Sequence, residues 1–203
     1  TTVANATVIG SCQPLIMLLI AGRIFGERPR RYDWLLAMVA IGGVATVMFG
    51  STGVEGWSLS GDLLSVATVV AWTLYFVFSK LSSREIESSQ YTGATALICA
   101  LFATPFALAS GQLFVMPSAN AWVWLFILSI GPGFTSHMLM NWALVRIPVW
   151  FGSTLTLAIP VTATLMAWVF LGEDVVALQF LGMGIVLFAL AVIMIGQSKA
   201  PEQ

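Results

Sequence analysis

His137 is the only histidine among 203 residues, and it stands inside a long charge-free stretch where burying an imidazole in lipid would be costly. Phe134 precedes it and Asn141 follows it at helical spacing, so one helix face carries an aromatic ring, an imidazole and an amide. Just upstream, Gly131-Pro132-Gly133 should bend or break the helix and free backbone carbonyls. Irregular backbone at membrane depth is tolerated only where it is buried in protein or lines a wet cavity. The chemistry on offer is contact with a solute, or proton exchange, because imidazole titrates near physiological pH. A neutral, hydrogen-bonded packing histidine is the alternative.

Two more groups of side chains invite the same reading. Ser65, Thr68, Trp72, Tyr75 or Phe76, and Ser79 recur every three to four residues, which makes a polar and aromatic stripe on one helix. Aromatic walls suit flat or apolar solutes and cations; the alternative is that Trp72 and Tyr75 are interfacial or packing residues. Gln13 sets an amide at mid-depth beside Pro14, whose ring frees a nearby carbonyl, and interhelical hydrogen bonding is its alternative role. The remaining features read as structural. Glu27 and Glu173 brace helix ends, Arg28 to Arg31 set topology and attract anionic lipid, and Ala37, Gly42, Gly43, Gly182 and Gly184 let helices approach. Cys12 and Cys99 stand far apart with no CxxC spacing, so neither a disulfide nor a metal site is indicated. No acidic residue falls in the middle of an apolar run, so catalytic residues, cofactor and metal are all expected to be absent.

The elements that position these residues are membrane helices. The chain is 59% hydrophobic and 8% charged, against about a quarter charged in a soluble domain. Roughly 20 apolar residues span the hydrocarbon, and the charge-free runs predict helices near 3–24, 33–51, 61–80, 91–110, 120–145, 149–171 and 176–196. The run 88–145 is divided by a turn-forming stretch from Ser110-Gly111-Gln112 to Pro117-Ser118-Ala119-Asn120. All eight Lys and Arg residues (Arg23, Arg28, Arg30, Arg31, Lys80, Arg84, Arg146, Lys199) fall after the first, third, fifth and seventh helices. The positive-inside rule therefore places those junctions, and the C-terminus, in the cytoplasm.

The chain also repeats itself. Pro14 stands twelve positions before Gly26-Glu27, and Pro160 stands twelve before Gly172-Glu173, 146 residues later. Laying 4–50 on 150–196 without a gap gives nine identities in 47 positions, among them Leu19 with Leu165, Ala21 with Ala167 and Ala45 with Ala191. The first helix and its mate, the sixth, are five spans apart and must run oppositely, so the repeat is inverted. Inverted repeats are the arrangement by which many carriers expose one central site to either side of the bilayer in turn. Continuing the register backwards from a second unit that starts near 61 leads to the expectation that three helices of the first unit precede Thr1. The 203 residues would then be the C-terminal part of a ten-helix protein.

With these motifs the sequence resembles an EamA-type carrier of the drug/metabolite transporter superfamily. The likeness rests on the Pro14 to Gly26-Glu27 and Pro160 to Gly172-Glu173 pairs, on Gly61-Asp62-Leu63-Leu64 leading to Ala71-Trp72 and Tyr75, and on Asn141-Trp142-Ala143-Leu144. The resemblance implies an all-α polytopic helical bundle of two inverted five-helix units with a central cavity. Residues 1–50 would be the last two helices of the first unit, 51–60 an extracytoplasmic linker, 61–196 the second unit and 197–203 a cytoplasmic tail. The expected function is secondary transport of a small metabolite (an amino acid, aromatic compound or drug-like solute) across a bacterial-type inner membrane, with His137, Asn141, Phe134, Trp72, Tyr75 and Gln13 as solute contacts. A structural or scaffold membrane protein and an intramembrane enzyme are the alternatives. The expected partners are a small-molecule substrate, with protons as a candidate co-substrate, and the lipid bilayer; no nucleic acid is expected, and nothing in the sequence sets an oligomeric state.

Overall fold

A computed structural model of the chain describes residues 1, 3–50, 58–83, 85–111, 114–172 and 174–198. Seven helices in it are long and apolar enough to cross a membrane: Asn5–Phe25, Arg31–Phe49, Leu59–Ser82, Ser88–Ala109, Ala119–Leu144, Val149–Phe170 and Ala177–Ser198. They are called the first to seventh spans below. Each coincides, to within a few residues, with a span expected from the apolar runs, and no strand occurs among the described residues. The protein is an all-α polytopic membrane protein. Residues 51–57 of the linker, Arg84, Gln112, Glu173 and Lys199 to Gln203 lie outside the described residues.

Helix ends follow local chemistry. The second span begins where Asp33 reaches back to cap its start, and the fifth begins with Ser118, whose Oγ accepts the Ala121 N–H at 3.2 Å. The fourth opens on a capping box between Glu87 and Gln90. The first and sixth spans end on Gly26 (φ 71°) and Gly172 (φ 68°), left-handed positions that a side chain would strain.

The chain divides into two compact units, 1–75 with 148–203, and 76–147, the division falling inside the third span. In the first unit the 146-residue repeat reappears as hydrogen bonds. The Gly26 N–H goes to the Ala21 carbonyl, and the Gly172 N–H to the Ala167 carbonyl. At the next corner the Arg30 N–H donates to Asp33 Oδ2 (2.7 Å) and the Asp33 N–H to the Arg30 carbonyl (3.0 Å). Likewise the Val176 N–H donates to Gln179 Oε1 (3.0 Å) and the Gln179 N–H to the Val176 carbonyl (2.9 Å). All four positions are related by the same offset of 146, although Asp33 and Gln179 differ in type.

The second and seventh spans, which are repeat mates, pack against each other antiparallel. Tyr32 at the start of one lies against Gly196 near the end of the other, and Gly43 lies against Gly182 and Val186. The approach is backbone-close: a Cβ on Gly182 would fall 2.7 Å from both the Gly43 carbonyl oxygen and the Val47 nitrogen. Ala40, Val44, Val47, Leu157, Val161, Met183, Val186, Ala189 and Leu190 form the buried apolar cluster around this contact. In lipid, where tails are as apolar as leucine, such small-residue contact is what lets dispersion hold helices together.

Candidate functional site

Both the first and the sixth span are interrupted near their middles. The first consists of helices Val3–Gly10 and Gln13–Phe25, the sixth of Val149–Leu155 and Ala158–Met166 followed by a wider π-helical turn, Ala167–Leu171. Tight three-residue hydrogen bonds bridge each gap, from the Cys12 N–H to the Ile9 carbonyl (3.0 Å) and from the Ile159 N–H to the Thr156 carbonyl (3.0 Å). The cause is shared. Pro14 and Pro160 have no N–H to return to the carbonyl one turn back, so the helix restarts around each proline.

At the first of these breaks Gln13 is buried, only 1% exposed, and its Oε1 accepts the Ser153 hydroxyl at 2.6 Å. Ser153 is itself fully buried on the sixth span. Gln13 Nε2 is buried with no hydrogen-bond partner, so its donors are unspent. A buried donor left unmade costs about 1–3 kcal/mol, which is why such an atom calls for an explanation. The sequence flags the Gln13 amide and the proline beside it, but gives no sign of Ser153, 140 residues away.

Glu27 is structural, as its type and place suggest, and its target lies across the chain. Its carboxylate accepts the Val149 N–H at 2.8 Å and the Trp150 N–H at 3.5 Å, which are the first two amides of the sixth span. Pro148 supplies no side-chain cap there, so a carboxylate from the end of the first span satisfies the orphan donors and complements the helix dipole. Trp72 and Tyr75, also in this unit, are brought together: their rings stack in parallel with centroids 5.1 Å apart, each half-buried. Ser65 and Thr68 spend their hydroxyls on the Gly61 and Leu64 carbonyls of their own helix. The buried face of the third span runs through Val69, Thr73, Phe76 and Ser79.

In the unit of residues 76–147, Asn141 is the node. It is 2% exposed; its Oδ1 accepts the Ser79 hydroxyl at 2.7 Å and its Nδ2 donates to Thr92 Oγ1 at 2.9 Å. Thr92 passes its own proton to the Ser88 carbonyl at 2.7 Å. One amide thus ties the third, fourth and fifth spans, and neither Ser79 nor Thr92 can be named as its partner from the sequence.

Upstream, Gly131-Pro132-Gly133 forms not a break but a π-helical turn over Ser129–Thr135, which widens the helix without ending it. Phe134 falls inside that turn and off the regular spacing, whereas His137 and Asn141 keep theirs on the α-helix Ser136–Leu144. Phe134 is exposed, His137 half-buried and Asn141 buried. The six sequence-flagged residues therefore fall in two sets, Gln13, Trp72 and Tyr75 in one unit and Phe134, His137 and Asn141 in the other. Among the described residues no group of three or more His, Cys, Asp or Glu side chains could hold a metal ion, and Cys12 and Cys99 are free thiols.

Seven apolar spans with polar groups set inside helices define an integral, multi-pass membrane protein. The model of the EamA-like transporter family matches residues 59–195, and the chain belongs to that family. Two curated relatives from Bacillus subtilis (strain 168) are similar along nearly the whole chain. The "Uncharacterized transporter YetK" is 23% identical over 207 aligned residues, covering 100% of this chain and 62% of the relative. The "Uncharacterized transporter YwfM" is 24% identical over 201, covering 99% of this chain and 66% of that protein. The chain thus spans 62% of the length of the first of these relatives. A solved crystal structure shares the fold, with a TM-score of 0.78 at 24% identity over 96% of this chain and 69% of that one.

Proposed function

We propose that the protein containing this chain is a secondary carrier that moves a small metabolite across a bacterial-type inner membrane by alternating access, with its C-terminus in the cytoplasm. The observation that carries the reading is the matched pair of corners at Gly26 to Asp33 and Gly172 to Gln179. They keep the same backbone and capping hydrogen bonds 146 residues apart, and the helices that follow run antiparallel. Two copies of one motif in opposite senses suit a fold that must be equally at ease open to either side. Family membership supports transport over catalysis, and the solute is expected to be an amino acid, an aromatic compound or a drug-like molecule.

The contacts proposed for that solute are Gln13, Trp72, Tyr75, Phe134, His137 and Asn141. Gln13 has the firmest physical support, because a solute carbonyl or carboxylate would take up the hydrogens that Nε2 leaves unspent. The stacked Trp72–Tyr75 pair would offer an aromatic surface. The test is counterflow of radiolabelled amino acids and aromatic solutes into proteoliposomes holding the full-length carrier. Gln13→Ala should lower flux about tenfold, the loss of one buried hydrogen bond to a charged group, at unchanged expression and with only the modest loss of thermal stability that the broken bond to Ser153 implies. Flux of the variant equal to wild type removes Gln13 from the solute path. Robust flux by residues 1–203 alone would contradict a site that needs the rest of the carrier.

A further inference from the structure

A cavity of about 580 Å³ opens within the unit of residues 76–147, and no part of the transport proposal uses it. Its rim carries Arg146, Glu87, Ser83 and Ser88, and its floor is Met138 with Trp142. The rim residues stand at span ends: Glu87 caps the start of the fourth span, and Arg146 follows the end of the fifth. Along the fifth span Trp142 lies about one turn deeper than Arg146, and Met138 about two turns deeper. The cavity is therefore polar at the membrane surface and apolar towards the hydrocarbon.

Its charges are held in place. The Arg146 guanidinium lies 3.9 Å from the centre of the Trp142 ring and gives one N–H to the Trp142 carbonyl at 2.7 Å, leaving most of its five donors unspent. Glu87 is fixed by the capping box with Gln90, its own N–H donating to Gln90 Oε1 at 3.2 Å. No ion pair joins Glu87 to Arg146 among the described residues, so the two opposite charges face one cavity without cancelling each other. A tryptophan under an arginine at a span end is the expected pairing at headgroup depth.

We infer that this cavity holds a zwitterionic phospholipid headgroup of the phosphatidylethanolamine type. Its phosphate would sit in the Arg146 fork, which matches phosphate geometry, and its ammonium against the Glu87 carboxylate. The Ser88 hydroxyl would meet a remaining phosphate oxygen, whereas Ser83 spends its own on the Lys80 carbonyl at 2.7 Å, and the glycerol and first acyl carbons would lie over Met138 and Trp142. A purely anionic headgroup fits less well, because Glu87 would oppose it. A volume of about 580 Å³ is that of a small-molecule pocket, enough for a headgroup and not for whole acyl chains.

The experiment uses the full-length carrier in nanodiscs made from equal parts of phosphatidylethanolamine and phosphatidylglycerol, with the lipids that stay bound counted by native mass spectrometry. Wild type should retain phosphatidylethanolamine over phosphatidylglycerol by about fivefold, the ratio expected of one added charge contact at the interface. Glu87→Gln, which keeps a capping oxygen but not the charge, should bring that ratio to parity or below. Arg146→Lys, which keeps the positive charge but not the fork, should lower total retained lipid several-fold. Equal ratios in wild type and Glu87→Gln, or a wild-type preference for phosphatidylglycerol, would overturn the proposal. So would complete displacement of the bound lipid by excess soluble glycerophosphoethanolamine, which would make the occupant a free zwitterion. Should either variant fail to fold, photo-crosslinking of wild type with a headgroup-labelled phosphatidylethanolamine decides, because label absent from Met138 to Arg146 excludes this cavity.

Discussion

The contact between the second and seventh spans and the junction at Asn141 solve one problem in opposite ways. Around Gly43 and Gly182 the helices meet backbone to backbone, with buried Ala40, Val44, Val47, Val186 and Ala189 and no need of a hydrogen-bonded side chain at the crossing. Around Asn141 three helices are joined by an amide, two hydroxyls and a backbone carbonyl. Dispersion at a glycine crossing depends on shape and fails at once when a methyl group intrudes. A hydrogen-bonded node depends on partners, and each bond of this kind in a membrane contributes only about 0.6–2 kcal/mol. The glycine crossing should therefore be the less forgiving of the two.

The largest expected effect follows from that difference. Gly182→Val puts a branched side chain where even a Cβ would stand 2.7 Å from two backbone atoms. Neither atom can move without shifting the second span, so a loss of about 3 kcal/mol or more is expected. Thermal unfolding of the full-length carrier in mild detergent would show it, and a variant that melts with wild type would remove the close crossing from the account. Next in size is Glu27→Ala, which strands the buried amides of Val149 and Trp150. It should cost about 2 kcal/mol, and Glu27→Gln should recover part of that through its amide oxygen. Equal melting of the Ala and Gln variants would mean that the carboxylate does not hold the start of the sixth span.

Asn141→Ala should cost less, about 1–2 kcal/mol for two membrane hydrogen bonds. Pairing it with Ser79→Ala sharpens the comparison. The two should be non-additive, because removing either breaks the bond from the Ser79 hydroxyl to Asn141 Oδ1. Strict additivity in the same melting assay would dissolve the node into independent contacts, and its contrast with the glycine crossing would lose its basis.

The sequence made the spans legible because a charge-free run of about 20 residues has few other fates in a polytopic protein. The proline and Gly-Glu spacing was legible for a similar reason. Pro14 and Pro160 must restart a helix, and Gly26 and Gly172 do occupy the left-handed positions that end one. What identity matching could not reveal was the equivalence of Asp33 and Gln179, since the repeat keeps an acceptor at that position rather than a residue type. The partners of the flagged amides were also out of reach. Gln13 meets Ser153 and Asn141 meets Ser79 and Thr92 across separations of 49 to 140 residues, and no local pattern encodes which hydroxyl arrives. At Gly131-Pro132-Gly133 an irregularity was foreseeable, but its form was not, because a proline can be absorbed by a kink, a break or the π-turn found here.

The smallest expected effect tests the repeat itself. Asp33 and Gln179 cap their helices with the same two bonds, one with a carboxylate and the other with a neutral amide. Asp33 is 1% exposed, and its Oδ1 is buried without a hydrogen-bond partner. Its charge gains about 0.3–1 kcal/mol from the helix dipole and is opposed by a desolvation cost on the unpartnered oxygen. If capping is all that Asp33 does, the two effects nearly offset one another. Asp33→Asn keeps the acceptor for the Arg30 N–H and should then change stability by less than about 0.5 kcal/mol, the usual size for a substitution that preserves its bonds. A loss several times larger, or a stable variant that no longer transports, would show that the carboxylate carries a task its repeat mate does not share. The two corners would then be alike in backbone and unlike in function.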